Sequence, residues 1–241
     1  MASKRSILVV SAHAADYVWR AGGTIAKYVQ SGANVSVVAL SLGVRGESND
    51  LWKSDNQSSA NVAQIRRGET LKAAGILGIT DFELWDLQDY PIPITTEVEE
   101  RIIKKIREVQ PDVILTHDKY DILNPDHNSI HNLVFRCSIM SNSKGVLTQG
   151  LKATKQMKIY GFEPHQTELS NYKPSCFIDI TDTYEQKVEA MNCFQAQKAL
   201  IEYYSQRASM RGNHARRVSG EGSYQYAESF SAVFPSVLDF F

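Results

Sequence analysis

The stretch SILVVSAH spans residues 6–13, and its reading decides the fold. After the serine, Ser6–Val10 is apolar and largely β-branched, the composition of a strand buried on both faces of a parallel sheet. Ser11, Ala12 and His13 follow at once, so the strand ends where a site can form. Gly22 and Gly23 then lead into TIAKYVQSG, a short helix stopped at Gly32. Residues 34–40, NVSVVAL, repeat the strand signature and run into SLGVRGESND, a glycine-containing polar loop with no packing role. A helix over Asn61–Leu77 stops at Gly78, Phe82–Leu87 reads as a short strand and Thr96–Val109 as a helix. Pro111 introduces PDVILTH, a strand whose apolar core ends at His117 and Asp118. Further on, Asn128–Met140 reads as helix, Lys158–Phe162 and Cys176–Ile180 as strands, and Tyr184–Tyr204 as one long helix. Residues 141–157 look like an insertion or flexible loop, and Met210–Gly222 has no clear element.

This alternation predicts an α/β fold, a doubly wound, mostly parallel sheet with helices on both faces, in a single domain over residues 1–241. The chain has 241 residues, 43% of them hydrophobic and 22% charged, enough to bury a large core without disulfides or structural metal. Twenty-six Lys and Arg against 27 Asp and Glu give a net charge of -1, which makes no electrostatic case for nucleic acid or an anionic membrane. Cys137, Cys176 and Cys193 are widely spaced and form no C-x-x-C pair, so a reduced, cytoplasmic protein is expected rather than a disulfide scaffold. The apolar run after the basic start is only ILVV, too short for a signal sequence or a membrane span. There is no G-x-G-x-x-G after the first strand and no P-loop, which disfavours nicotinamide and nucleotide binding.

His13 and Asp16 stand at i and i+3 after the first strand, and His127 follows another strand in NPDHNSIH. Folding a parallel sheet would bring all three to one edge, giving three ligands and an open fourth position, the pattern of a catalytic zinc site. Spacing alone leaves other readings open. Asp16 equally serves as the N-cap of a helix, and His127 and His131 as i,i+4 neighbours on a helix start, one solvated and one packed. Asp126 reads either as an orienting partner for a histidine or as an acid at a helix N-terminus.

Ala12, His13, Ala14, Ala15 and Asp16, with Gly22 and Gly23 beyond, resemble the A-H-P-D-D-E and downstream Gly-Gly pattern of the PIG-L or LmbE-like metal-dependent deacetylase superfamily. Thr116, His117 and Asp118, then Asn124, Pro125, Asp126 and His127, resemble its second region, usually H-P-D-H. Arg66, Arg67, Gly68 and Glu69 and the late YAESF extend the resemblance over most of the chain. It implies Zn2+ held by His13, Asp16 and His127, and a homo-oligomer.

Two departures bear on the chemistry. Ala15 stands where the family has the aspartate that acts as general base, and a methyl group takes no proton. Asn124 replaces the first histidine of H-P-D-H, leaving an amide in place of an imidazolium. SAHAADYVWR (residues 11–20) and GVRGES (residues 43–48) are similar instead to the divergent branch that contains 4-oxalomesaconate hydratase of gallate degradation. That resemblance implies a hydro-lyase adding water to a polycarboxylate to form 4-carboxy-4-hydroxy-2-oxoadipate. Glu47 is then the leading acid/base candidate and His165 the second. His117 is placed as a relay or substrate contact and Asn124 as a ligand for a substrate oxygen. Arg20, Arg45, Arg66, Arg211 and His214 are candidate partners for the substrate carboxylates. The alternatives are a deacetylase acting on an N-acylated sugar and a metal-stabilised scaffold without turnover.

Overall fold

The computed structural model describes residues 4–238 and 240. Seven strands form one sheet: β1 (Ser6–His13), β2 (Asn34–Ser41), β3 (Asp81–Leu87), β4 (Val113–His117), β5 (Lys158–Phe162), β6 (Cys176–Asp179) and β7 (Ala227–Ala232). Their order is β3-β2-β1-β4-β5-β7-β6, with β7 antiparallel to both neighbours and the other pairings parallel. Among the described residues there are six α-helices: α1 (Asp16–Gln30), α2 (Ser59–Ile76), α3 (Thr96–Val109), α4 (Pro125–Asn142), α5 (Tyr184–Met191) and α6 (Ala199–Ser219).

Alternation along β1 explains the two layers. Ile7 and Val9 pack with Tyr17, Val18 and Ile25 of α1, Ala73 and Ala74 of α2, Met191 of α5 and Tyr204 of α6. Leu8 and Val10 point the other way, against Ile102, Ile103 and Ile106 of α3 and Ile130, Leu133 and Val134 of α4. Both sets of strand side chains are therefore buried, as a near-continuous apolar run requires. No helix among the described residues is long and apolar enough to cross a membrane.

Several readings of the sequence are corrected. The first helix begins at Asp16, ahead of Gly22 and Gly23, and its N-cap is Ala15. Asp16 itself accepts the His13 backbone N–H through Oδ2, at 2.8 Å, instead of capping a later turn. The long helix expected over 184–204 is broken between Met191 and Ala199, where Gln195–Gln197 forms a single 3-10 turn. The helix that follows runs on through Met210 to Ser219, and YAESF supplies most of the unforeseen strand β7. His127 and His131 are both buried, and His131 donates through Nδ1 to the His117 carbonyl at 2.9 Å.

Candidate metal centre

Beyond β1 the chain crosses to β2 on one side, and beyond β4 it crosses to β5 on the other. The crevice between the carboxyl ends of β1 and β4 is therefore the switch point of the sheet, the place where α/β folds bind ligands. His13 is the last residue of β1 and His117 the last of β4. Asp16 opens α1, and His127 lies in the first turn of α4.

Three donor atoms converge there. His13 Nδ1 lies 3.2 Å from Asp16 Oδ2 and 3.3 Å from His127 Nε2, and His127 Nε2 lies 3.3 Å from Asp16 Oδ1. All three residues are buried, and their facing atoms lie within 4.8 Å of one another. Two imidazole nitrogens and one carboxylate oxygen are a donor set suited to a divalent ion such as Zn2+. The far side of each imidazole is held by a carboxylate: Asp126 Oδ2 lies 3.3 Å from His13 Nε2, and Asp121 Oδ2 lies 2.9 Å from His127 Nδ1. Such pairs fix the ring and raise its basicity toward a metal.

The electrostatics match. Burial works to depress the His13 pKa, but contacts with Asp126 and Asp16 and the charge of Glu47 overcome it and carry the group up to about 10. Burial opposes ionisation of Asp16, yet the charges of His127 and His117 hold its carboxyl well below its ordinary range. The cluster thus demands positive charge, which a divalent cation supplies.

Glu47 sits in front of this triad. Its Oε1 is 3.8 Å from His13 Nδ1 and accepts from Asn124 Nδ2 at 2.8 Å, while Oε2 accepts from Gln197 Nε2 at 3.0 Å. Asn124 is the N-cap of α4, its Oδ1 accepting the His127 N–H at 3.3 Å, so one amide caps the helix that bears a ligand and holds Glu47. Gly43, at φ +70°, makes the turn that a side chain would resist, and a Cβ there would lie 2.8 Å from that of Glu47.

The triad opens onto a cavity of about 350 Å3 whose walls include Asp16, Arg20, Glu47, Asn124, His127 and His165. His165 is half-buried, and desolvation, then the charges of Arg20 and Arg207, push its pKa down to about 4, so its imidazole is neutral at pH 7. His117 stacks on His127 with ring centroids 3.9 Å apart and accepts the Ala12 N–H through Nε2, behind the ligands and off the cavity wall.

Of the five expected carboxylate-binding residues, Arg20 alone lines the cavity. Its Nη1 donates to the Glu163 carbonyl at 2.7 Å, and its Nη2 lies 3.4 Å from Asp121 Oδ2. Arg66 is wholly buried and donates to the Leu42 carbonyl and Glu69. Arg211 is paired with Glu163, His214 faces Arg211, and Arg45 is exposed outside the cavity. Arg66 and Arg211 spend their charge on Glu69 and Glu163, partners that composition could not show. Conversely, Asp121, Tyr90 and Gln197 were not singled out from the sequence. Asp121 stands six residues before His127, a local signal, but Tyr90 and Gln197 come from distant loops and carry none.

The family model for GlcNAc-PI de-N-acetylase, PIG-L, matches residues 8–138, the segment that carries the triad. The chain belongs to the PIG-L family. Among its relatives is the 4-oxalmesaconate hydratase of Pseudomonas putida, 39% identical over 98% of this chain and 92% of the relative. The crystal structure of GalB, the 4-carboxy-2-hydroxymuconate hydratase of Pseudomonas putida, superposes with a TM-score of 0.93 at 39% identity, covering 98% of this chain and 99% of that one. A PIG-L relative of a different kind, the diacetylchitobiose deacetylase of Thermococcus kodakarensis, is 28% identical over 80% of this chain and 70% of its own. Ala15, which the sequence resemblance sets where the family has its general base, is buried.

Proposed function

We propose that this PIG-L protein is a zinc-dependent hydratase, a single catalytic domain that adds water to 4-oxalomesaconate to form 4-carboxy-4-hydroxy-2-oxoadipate. One observation carries the reading: the family's base position is a buried methyl, while a different carboxylate, Glu47, stands 3.8 Å from a metal-facing nitrogen. The match to a hydratase along nearly the whole chain supports it.

The ion held by His13, Asp16 and His127 would supply Lewis acidity toward a substrate carbonyl or carboxylate. Glu47 takes a proton from water as the oxygen bonds to the substrate alkene carbon, and the alkene electrons move toward the carbonyl as an enolate. The proton then passes from Glu47 to the adjacent carbon, so the sum is the addition of one water. The neutral His165 imidazole and the Asn124 amide donate hydrogen bonds to substrate oxygens as charge develops. Arg20 supplies the positive potential at the cavity wall. This route needs no acid for an amine leaving group, which a deacetylase requires. We place the protein in the cytoplasm as a homo-oligomer, a reading that its three free cysteines support for the compartment.

The test is the initial rate of 4-oxalomesaconate consumption by zinc-loaded protein against a chelated control. Metal-dependent loss of the conjugated absorbance, with a product heavier by one water, is expected. Folded, zinc-loaded protein that leaves the compound untouched overturns the reading, and acetate release from an N-acetyl sugar would replace it with deacetylation.

A further inference from the structure

Tyr90 lies in the loop between β3 and α3, far in sequence from every residue of the triad. Its backbone N–H donates to Asp126 Oδ2 at 2.9 Å, the same oxygen that faces His13 Nε2. Its hydroxyl donates to Glu47 Oε1 at 3.4 Å, the same oxygen that accepts from Asn124. One residue thus touches the carboxylate behind His13 and the carboxylate in front of it.

The surrounding chain is built to hold that bridge. Tyr90 has φ +50°, a left-handed conformation that non-glycine residues adopt where the structure around them over-determines it, often at functional sites. Its ring lies across Gly46, where a Cβ would come within 2.2 Å of it, so the loop carrying Glu47 has no room for a side chain at that point. Asp89, the preceding residue, accepts the backbone N–H groups of Arg45 at 2.9 Å and Gly46 at 2.7 Å. Asp89 and Tyr90 therefore dock on the Glu47 loop as a unit.

We propose that Tyr90 is a positioning residue whose hydroxyl aims the Glu47 carboxylate at the reacting water, while its backbone, through Asp126, steadies the ligand ring of His13. The inference rests on the reading of Glu47 as the base. Burial, followed by the negative charges of Glu47, Asp16 and Asp126, keeps the phenol protonated, so it is a donor throughout the working range.

Tyr90→Phe removes the hydroxyl and keeps the backbone N–H. In the zinc-loaded enzyme this variant is expected to lower kcat about tenfold, as a lost interaction of a positioned base would, with KM changed less than about twofold and zinc affinity by chelator competition unchanged. In a Glu47→Gln background the same substitution is expected to cost nothing further, because its effect passes through Glu47. Crystals of zinc-loaded Tyr90→Phe are expected to show the Glu47 carboxylate turned from its place near His13. An equal loss in both backgrounds, a collapse of zinc affinity, or an unmoved Glu47 overturns the proposal. Wild-type protein without hydratase activity would defeat the proposed function instead, and the crystallographic comparison would still decide the role of Tyr90.

Discussion

Asp121 Oδ2 and His127 Nδ1 lie 2.9 Å apart, on the side of the imidazole away from its metal-facing nitrogen. Asp121 is itself held near Arg20, at 3.4 Å, so the ligand ring is locked by a charged pair rather than by packing alone. Removing the carboxylate charge leaves His127 in place but less basic and freer to turn. Asp121→Asn is therefore expected to lower zinc affinity about 10- to 100-fold without loss of fold, measured by chelator competition alongside circular dichroism. Unchanged affinity would show that the pair does not tune the metal site.

Glu47→Gln keeps the side chain's size and the acceptor oxygen but cannot take a proton. Turnover is expected to fall by about 10²- to 10⁴-fold, the usual worth of a general base. Zinc bound per chain should stay at the wild-type value, since the three donors are His13, Asp16 and His127. Metal analysis beside kinetics separates the two effects, and full turnover in the variant removes Glu47 from the chemistry.

His165 carries a pH signature. Its folded pKa is pushed down to about 4 from the ordinary 6.5, by burial first and then by Arg20 and Arg207. Between those values the unfolded chain binds a proton that the folded chain refuses, so this group's contribution to stability is full above pH 6.5 and declines as pH falls toward 4. His165→Gln should shrink the difference in urea midpoint between pH 7.5 and pH 5 relative to wild type. Identical pH slopes in the two proteins would contradict the assigned depression.

Two helical glycines should respond to alanine in opposite directions. Gly68 is exposed in the middle of α2 with nothing within 4 Å of an added Cβ, so Gly68→Ala should stabilise the fold by about 0.5–1 kcal/mol through helix propensity. Gly212 of α6 lies against the chain entering β7, and its Cβ would meet the Gln225 carbonyl oxygen at 2.0 Å. Gly212→Ala should destabilise by about 1–3 kcal/mol as backbone is forced apart. Thermal or urea unfolding reads both, and a common sign would refute the packing argument.

Much of the scaffold was legible because its signals are local. Lys158–Phe162 and Thr96–Val109 are observed with the expected bounds, since continuous apolar runs and 3.6-residue periodicity are written into neighbouring residues. The break after Met191 has no Gly or Pro to announce it in the sequence. Within the break Gln195 donates its backbone N–H to Glu69, on α2, a partner 126 positions away.

The sequence by itself determined that the apolar run of residues 6–10 leads to His13 and that PDVILTH leads to His117, so polar groups gather toward the carboxyl ends of β1 and β4. Strands buried on both faces take near-continuous apolar side chains, and polar groups collect toward their ends. Only the tertiary structure decided which charges serve the site. Arg66 and Arg211 are taken by Glu69 and Glu163, and Glu47 is held by Asn124 and Gln197, 77 and 150 positions along the chain. Those pairings follow from sheet order and loop docking, because a side chain's electrostatic partner is its neighbour in space, and spacing along the chain does not encode it.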